Sequence, residues 1–105
     1  MAQRKPLSME QKKHLRGIGH DLKPIVTIGG NGISEGVLAE LERALTDHEL
    51  VKLKIAAGER DDRQPVIDYV TAETGAELIA RIGKVALLYR PNPKADPKKS
   101  NVRSA

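Results

Sequence analysis

The chain has 105 residues, the size of a single domain that can bury a working core without staples. It contains no cysteine, which excludes a disulfide framework, a thiolate nucleophile and any cysteine-based zinc site. Its 18 Lys/Arg against 14 Asp/Glu leave a net charge of +4, its only aromatic residues are two tyrosines, and no apolar run approaches the length of a bilayer span. A soluble, cytoplasmic protein with no membrane association is expected.

In chain order, residues 8 to 20 read as a first helix. Leu7, Gln11, Leu15, Ile18 and Leu22 lie near one face, Lys12, Lys13 and Arg16 point elsewhere, and Ser8 is a plausible N-cap. Pro24 to Ile28 is short and β-branched and runs into Gly29-Gly30-Asn31-Gly32, as a strand entering a tight loop does. A second helix spans about Ile33 to His48, with Ser34 or Asn31 able to cap it. Leu50 to Ala56 alternates as a strand, with Val51, Leu53 and Ile55 on one side and Lys52 and Lys54 on the other.

A third helix is expected from about Asp61 or Asp62, with Pro65 in its first turn, to a stop at Gly75. Glu77 to Ile82 and Val85 to Arg90 then form a hairpin across Gly83-Lys84. The order α-β-α-β-α-β-β predicts an α/β domain over residues 1 to 90, two-layered, with helices packed on a four-stranded mixed sheet. Residues 91 to 105, PNPKADPKKSNVRSA, are rich in proline and lysine and nearly devoid of apolar side chains, and are expected to form a flexible basic tail.

Charge is unevenly distributed. Residues 1 to 25 carry six basic against two acidic side chains, residues 26 to 80 five against eleven, and residues 81 to 105 seven against one. If the two ends meet on one face, they give a surface suited to a polyanion. With Phe and Trp absent, base stacking on a broad aromatic platform is excluded, so nucleic-acid binding would rest on phosphate contacts, shape and backbone amides.

A glycine loop between a strand and a helix presents unpaired amides at the positive end of the helix dipole, where a phosphate can sit. Gly29-Gly30-Asn31-Gly32 has the G-x-x-G spacing with which KH domains clamp a nucleic-acid backbone. The same four residues also make an ordinary turn, and it is the basic first helix and Lys23 just upstream that favour the phosphate reading. Neither the Walker spacing nor the dinucleotide-binding spacing occurs. His14, His20 and His48 do not fall into a metal motif, Ser34 suits a cap better than a nucleophile, and Asp61 and Asp62 suit a helix start. No catalytic triad, metal set or cofactor site is found, so an enzyme is not expected. Lys52 and Lys54 on one strand face, and Arg81, Lys84 and Arg90 in the hairpin, are further possible contacts, with Lys84 in the turn the most exposed.

The runs KKHLRGIGHDL, LKPIVTIGGNGISEGVLAELERAL, HELVKLKIA and IGKVALLYR together resemble the bacterial YhbY-type CRM domain, named for chloroplast RNA splicing and ribosome maturation, over about Leu7 to Pro91. The resemblance implies a stand-alone RNA-binding domain with a fold similar to the C-terminal domain of bacterial translation initiation factor three. It also implies association with ribosomal RNA in large-subunit precursors and a part in their assembly. The family's G-x-x-G loop falls on Gly29, Gly30, Asn31 and Gly32, with a glycine at position 30 where the family often has a side chain. The RNA-binding set expected is this loop with Lys12, Lys13, Arg16, Lys23 and Lys84, in a monomer without cofactor, metal or small-molecule substrate. A phosphate-handling enzyme using the same loop, or an adaptor docking on a ribosomal protein, are the alternatives.

Overall fold

The computed structural model describes residues 7–29, 32–56 and 63–102. They form α1 (Met9–His20), β1 (Val26–Ile28), α2 (Glu35–His48), β2 (Leu50–Ile55), α3 (Arg63–Thr74), β3 (Glu77–Ile82) and β4 (Val85–Tyr89). The order and the mixed sheet are as the sequence pattern predicts.

The element starts are set by side chains. Ser8 caps α1 through a reciprocal pair, its hydroxyl accepting from the Gln11 N–H at 3.1 Å and its own N–H donating to Gln11 Oε1 at 2.8 Å. Ser34 rather than Asn31 caps α2, accepting from the Val37 N–H at 3.1 Å, and the helix therefore begins at Glu35, two residues later than the apolar pattern suggests. The expected start of α3 at Asp61 or Asp62 lies outside the described residues. Gly75 ends α3 with φ +74° and donates its N–H to the Thr71 carbonyl, the left-handed conformation that glycine adopts without Cβ strain.

The sheet order is β1-β2-β4-β3. β1 and β2 are parallel and joined by α2, β2 and β4 are antiparallel, and β3 and β4 form the expected hairpin. The layering is richer than two layers. Val26, Ile28, Val51, Leu53, Ile55, Ala86 and Leu88 pack with Leu41, Ala44 and Leu45 of α2 and Ile67 and Val70 of α3. The intervening positions Leu50 and Leu87, with Ile79, face the other way and pack with Leu15 of α1. Strand alternation thus divides the helices between the two faces, α2 and α3 on one and α1 on the other. Ile79 is the extra residue of a bulge, since Leu78 pairs with Leu88 and Ala80 with Leu87, and both Ile79 and Ala80 pack on the α1 side.

The glycines of α1 report how closely it lies on the sheet. A Cβ on Gly19 would stand 2.5 Å from Leu87 Cδ2, whereas one on Gly17 would meet nothing within 4 Å. Gly17→Ala should therefore stabilise the domain by about 0.5–1 kcal/mol through helix propensity. Gly19→Ala should lose that gain to overpacking and fall about 1–3 kcal/mol below Gly17→Ala. Chemical denaturation of the two variants checks the difference.

The segment from Pro91, expected to be a flexible tail, is held on the domain as far as residue 102. It has few apolar side chains with which to dock, and polar bonds do most of the holding. The buried Glu49 carboxylate accepts from the Asn92 N–H and from the Ser100 hydroxyl, both at 2.6 Å. Asn92 Nδ2 donates to the Thr46 carbonyl at 2.9 Å, and Asn101 Nδ2 donates to the Leu50 carbonyl at 2.7 Å. The Asn101 N–H donates to the His48 carbonyl at 3.0 Å, and His48 Nδ1 lies 2.7 Å from the Lys99 carbonyl oxygen. Ala95 and Ser100 are buried, and Val102 packs beneath α1.

Candidate nucleic-acid interface

Sheet register brings the glycine loop and the β3–β4 turn to one end of the molecule. Ile28, the last residue of β1, pairs with Ile55, the last of β2, and the Ala56 N–H donates to the Ile28 carbonyl at 2.9 Å. On the other side of β2 the Ile55 N–H donates to the Lys84 carbonyl at 2.7 Å. Gly29 and Lys84 therefore flank the end of β2, about 10 Å apart for two strand spacings. The loop is closed by the Gly32 N–H donating to the Gly29 carbonyl at 3.0 Å, and Gly32 has φ +79°. Gly30 and Asn31, the two central residues, lie outside the described residues. Beyond the loop, the first amides of α2 at Glu35 and Gly36 precede any helical carbonyl they could bond, and the helix dipole adds a partial positive charge.

The α1 side of the sheet supplies the basic surface. α1 covers the half of this face around Leu50, Ile79 and Leu87 and leaves the half nearer the loop open. Thr27 and Lys54 are exposed on that open half, opposite the buried Val26, Ile28, Leu53 and Ile55. Between α1 and the sheet lies a groove of about 210 Å³, with Arg16, Gly19 and His20 on its wall and Lys52, Val85 and Ile82 on its floor. No carboxylate lines it among the described residues. Several like charges on one concave face raise the potential there well above what a net charge of +4 conveys.

The basic residues singled out in the sequence divide accordingly. Arg16 stands over the groove and Lys84 at the exposed turn beside the loop. Lys12 is on α1 with its Nζ 3.8 Å from Glu77 Oε2, too long for a hydrogen bond and, with both side chains more than a third exposed, a weak tie that leaves the ammonium available. Lys13 is exposed on the outer side of α1 with Glu10, His14 and Gly17. Lys23 is exposed between α1 and β1.

Two arginines considered as RNA ligands are occupied within the fold. Arg90 donates through Nη1 to Glu42 Oε2 at 2.7 Å and the Thr74 carbonyl at 2.9 Å, and through Nη2 to Thr46 Oγ1 at 2.9 Å, tying β4 to α2 and α3. Arg81 Nη1 donates to Gln64 Oε1 at 2.8 Å, against α3. Conversely, Lys52, Lys54 and His20 join Arg16 on the open face. The alternation of β2 already placed the two lysines opposite its buried side chains. What it could not convey is that α1 leaves that part of the face uncovered. Among the described residues no group of three His, Asp or Glu could hold a metal ion, and no helix is long and apolar enough to cross a membrane.

Comparison with known proteins agrees with this architecture. The probable RNA-binding protein PA4753 of Pseudomonas aeruginosa is 53% identical over 96 residues, covering 91% of this chain and 92% of that protein. An RNA-binding protein of Haemophilus influenzae is 47% identical over 89 residues, covering 85% of this chain and 90% of its own. The solution structure of the hypothetical protein SAV1595 from Staphylococcus aureus superposes with a TM-score of 0.75 at 28% identity, covering 87% of this chain and 95% of that one. The model of the CRS1 / YhbY (CRM) domain matches residues 7–90, and the chain belongs to that family.

Proposed function

We propose that this protein is a non-enzymatic RNA-binding factor that takes the phosphate backbone of structured RNA on the face formed by the Gly29–Gly32 loop, the Lys84 turn and the open half of the sheet. The observation that carries the reading is the convergence, by strand register, of the G-x-x-G loop and Lys84 at the edge of a groove flanked by Arg16, His20 and Lys52 and lined by no carboxylate among the described residues. Loop amides and the start of α2 hold one phosphate, and Lys52, Lys54, Arg16 and Lys84 hold its neighbours. Lys12, Lys13 and Lys23 contribute to the long-range field. The relatives' names as RNA-binding proteins point to the same ligand class.

The RNA we assign is ribosomal RNA in large-subunit precursors, within which the protein acts as a cytoplasmic, monomeric assembly factor. The test is recovery of the tagged protein with its RNA before and after nuclease treatment, followed by affinity for the recovered segment across a salt series. Enrichment of large-subunit precursor RNA, lost with nuclease, supports the assignment. Association that survives nuclease favours a protein-docking adaptor instead. In the salt series, Lys52→Glu with Lys54→Glu should reduce the slope of log affinity against log salt by about two, one for each phosphate that is no longer neutralised. An unchanged slope would remove the sheet from the interface.

A further inference from the structure

The groove beside α1 has a feature that phosphate binding alone does not require. Beside Lys52 its floor is aliphatic, built from Val85 and Ile82 over Leu87, and with Ile82 77% exposed an apolar face stands open amid cationic groups. Its wall carries Arg16 and His20, four residues apart and hence neighbours on one side of α1. Both are planar, and guanidinium and imidazole planes are surfaces on which unpaired bases stack. The two tyrosines lie elsewhere, Tyr69 exposed on α3 across the sheet and Tyr89 packed beneath the first half of α1. The close approach of α1 to Leu87 at Gly19 sets the groove's width.

Size and charge select the occupant. At about 210 Å³ the groove is smaller than the roughly 300–1,000 Å³ of pockets that enclose drug-sized molecules, and is better matched to one ring system than to a whole nucleotide. Lys52 at its floor and Lys54 exposed next to it on the same strand face provide for a phosphate just outside. We propose that the groove takes a single unpaired base of the bound RNA, its ring on Ile82 and Val85, its other face or edge against Arg16 and His20, and its phosphate on Lys52. The proposal rests on the RNA-binding reading above. It gives a protein almost without aromatic residues a means of preferring bulged or looped RNA to a plain duplex.

Affinity for three labelled hairpins that share one stem tests it: one fully paired, one with a single adenine bulge, and one with an abasic bulge. The bulged hairpin should bind about tenfold more tightly than the other two, in line with the gain from stacking one base. Ile82→Ser, at an exposed position where folding is not at stake, should abolish that preference and leave affinity for the paired hairpin unchanged, and Arg16→Lys, which keeps the charge and removes the plane, should lower affinity for the bulged hairpin to that for the paired one. Equal, salt-dependent binding of all three hairpins by the native protein would overturn the groove assignment and leave the RNA-binding reading standing. Failure to bind any of them would overturn both. Adenosine monophosphate binding in the micromolar range without RNA would assign the groove to a free nucleotide and equally overturn the proposal.

Discussion

Replacing Glu49 by alanine should lower the unfolding free energy by about 3 kcal/mol, because two charge-assisted hydrogen bonds are lost and their donors are stranded. For a domain of this size that corresponds to a fall in Tm of about 15 °C. Glu49 is 1% exposed, and its carboxylate is the point at which Asn92 and Ser100 fasten the C-terminal segment to the junction of α2 and β2. The backbone at this position opposes the residue it carries: φ is +62° and ψ is −45°, close to the strained γ-turn region, which a glycine would occupy at less cost. A glutamate that persists there does so for its side chain. Glu49→Gly should accordingly be less harmful than Glu49→Ala by about 1 kcal/mol, since it relieves the backbone while losing the same bonds. Trypsin should cut at Lys94, Lys98 and Lys99 much faster in both variants than in the native protein. Native-like melting and native-like resistance to trypsin in Glu49→Ala would show that the remaining bonds from Asn101 and His48 suffice.

Glu49 also marks the limit of what local sequence pattern encodes. The helices and strands were legible because their apolar positions recur with the right period. The α1 stripe of Leu15, Ile18 and Leu22 and the alternation of Val51, Leu53 and Ile55 each reappear as a packed face. A lone glutamate between a histidine and a leucine carries no such signal, and burial of its carboxylate depends on partners 43 and 51 residues away. The attachment of residues 91–102 is silent in the sequence for the same reason: composition measures the capacity for apolar burial, and this segment is held largely by polar bonds. The pairing of β1 with β2 and the division of helices between faces needed register that no local pattern encodes. Of the candidate interface, the loop and the basic character of α1 could be read directly. The occupation of Arg90 by Glu42, Thr46 and Thr74 could not, nor could the grouping of Arg16 and His20 with Lys52, since each follows from packing between distant elements.

The largest effect on binding is expected from placing negative charge in the glycine loop. Gly30→Asp with Asn31→Asp should weaken binding of the RNA by about a hundredfold at moderate salt, since each carboxylate near a bound phosphate costs about 1–2 kcal/mol at a partly screened surface. The loop's ends are anchored by the pairing of Ile28 with Ile55 and by the Ser34 cap, neither of which the substitutions touch, so Tm should change little. The penalty should shrink as salt rises, which separates electrostatic exclusion from a loss of fit. Gly30→Ser with Asn31→Ser, neutral and of similar bulk, provides the comparison. If it binds as the native protein does, charge at the loop decides affinity; if it is as impaired as the aspartate pair, the bare backbone and its close approach decide it instead. Native affinity in the aspartate variant would place the RNA on α1 and the open sheet face alone, leaving Gly29–Gly32 as the turn that joins β1 to α2.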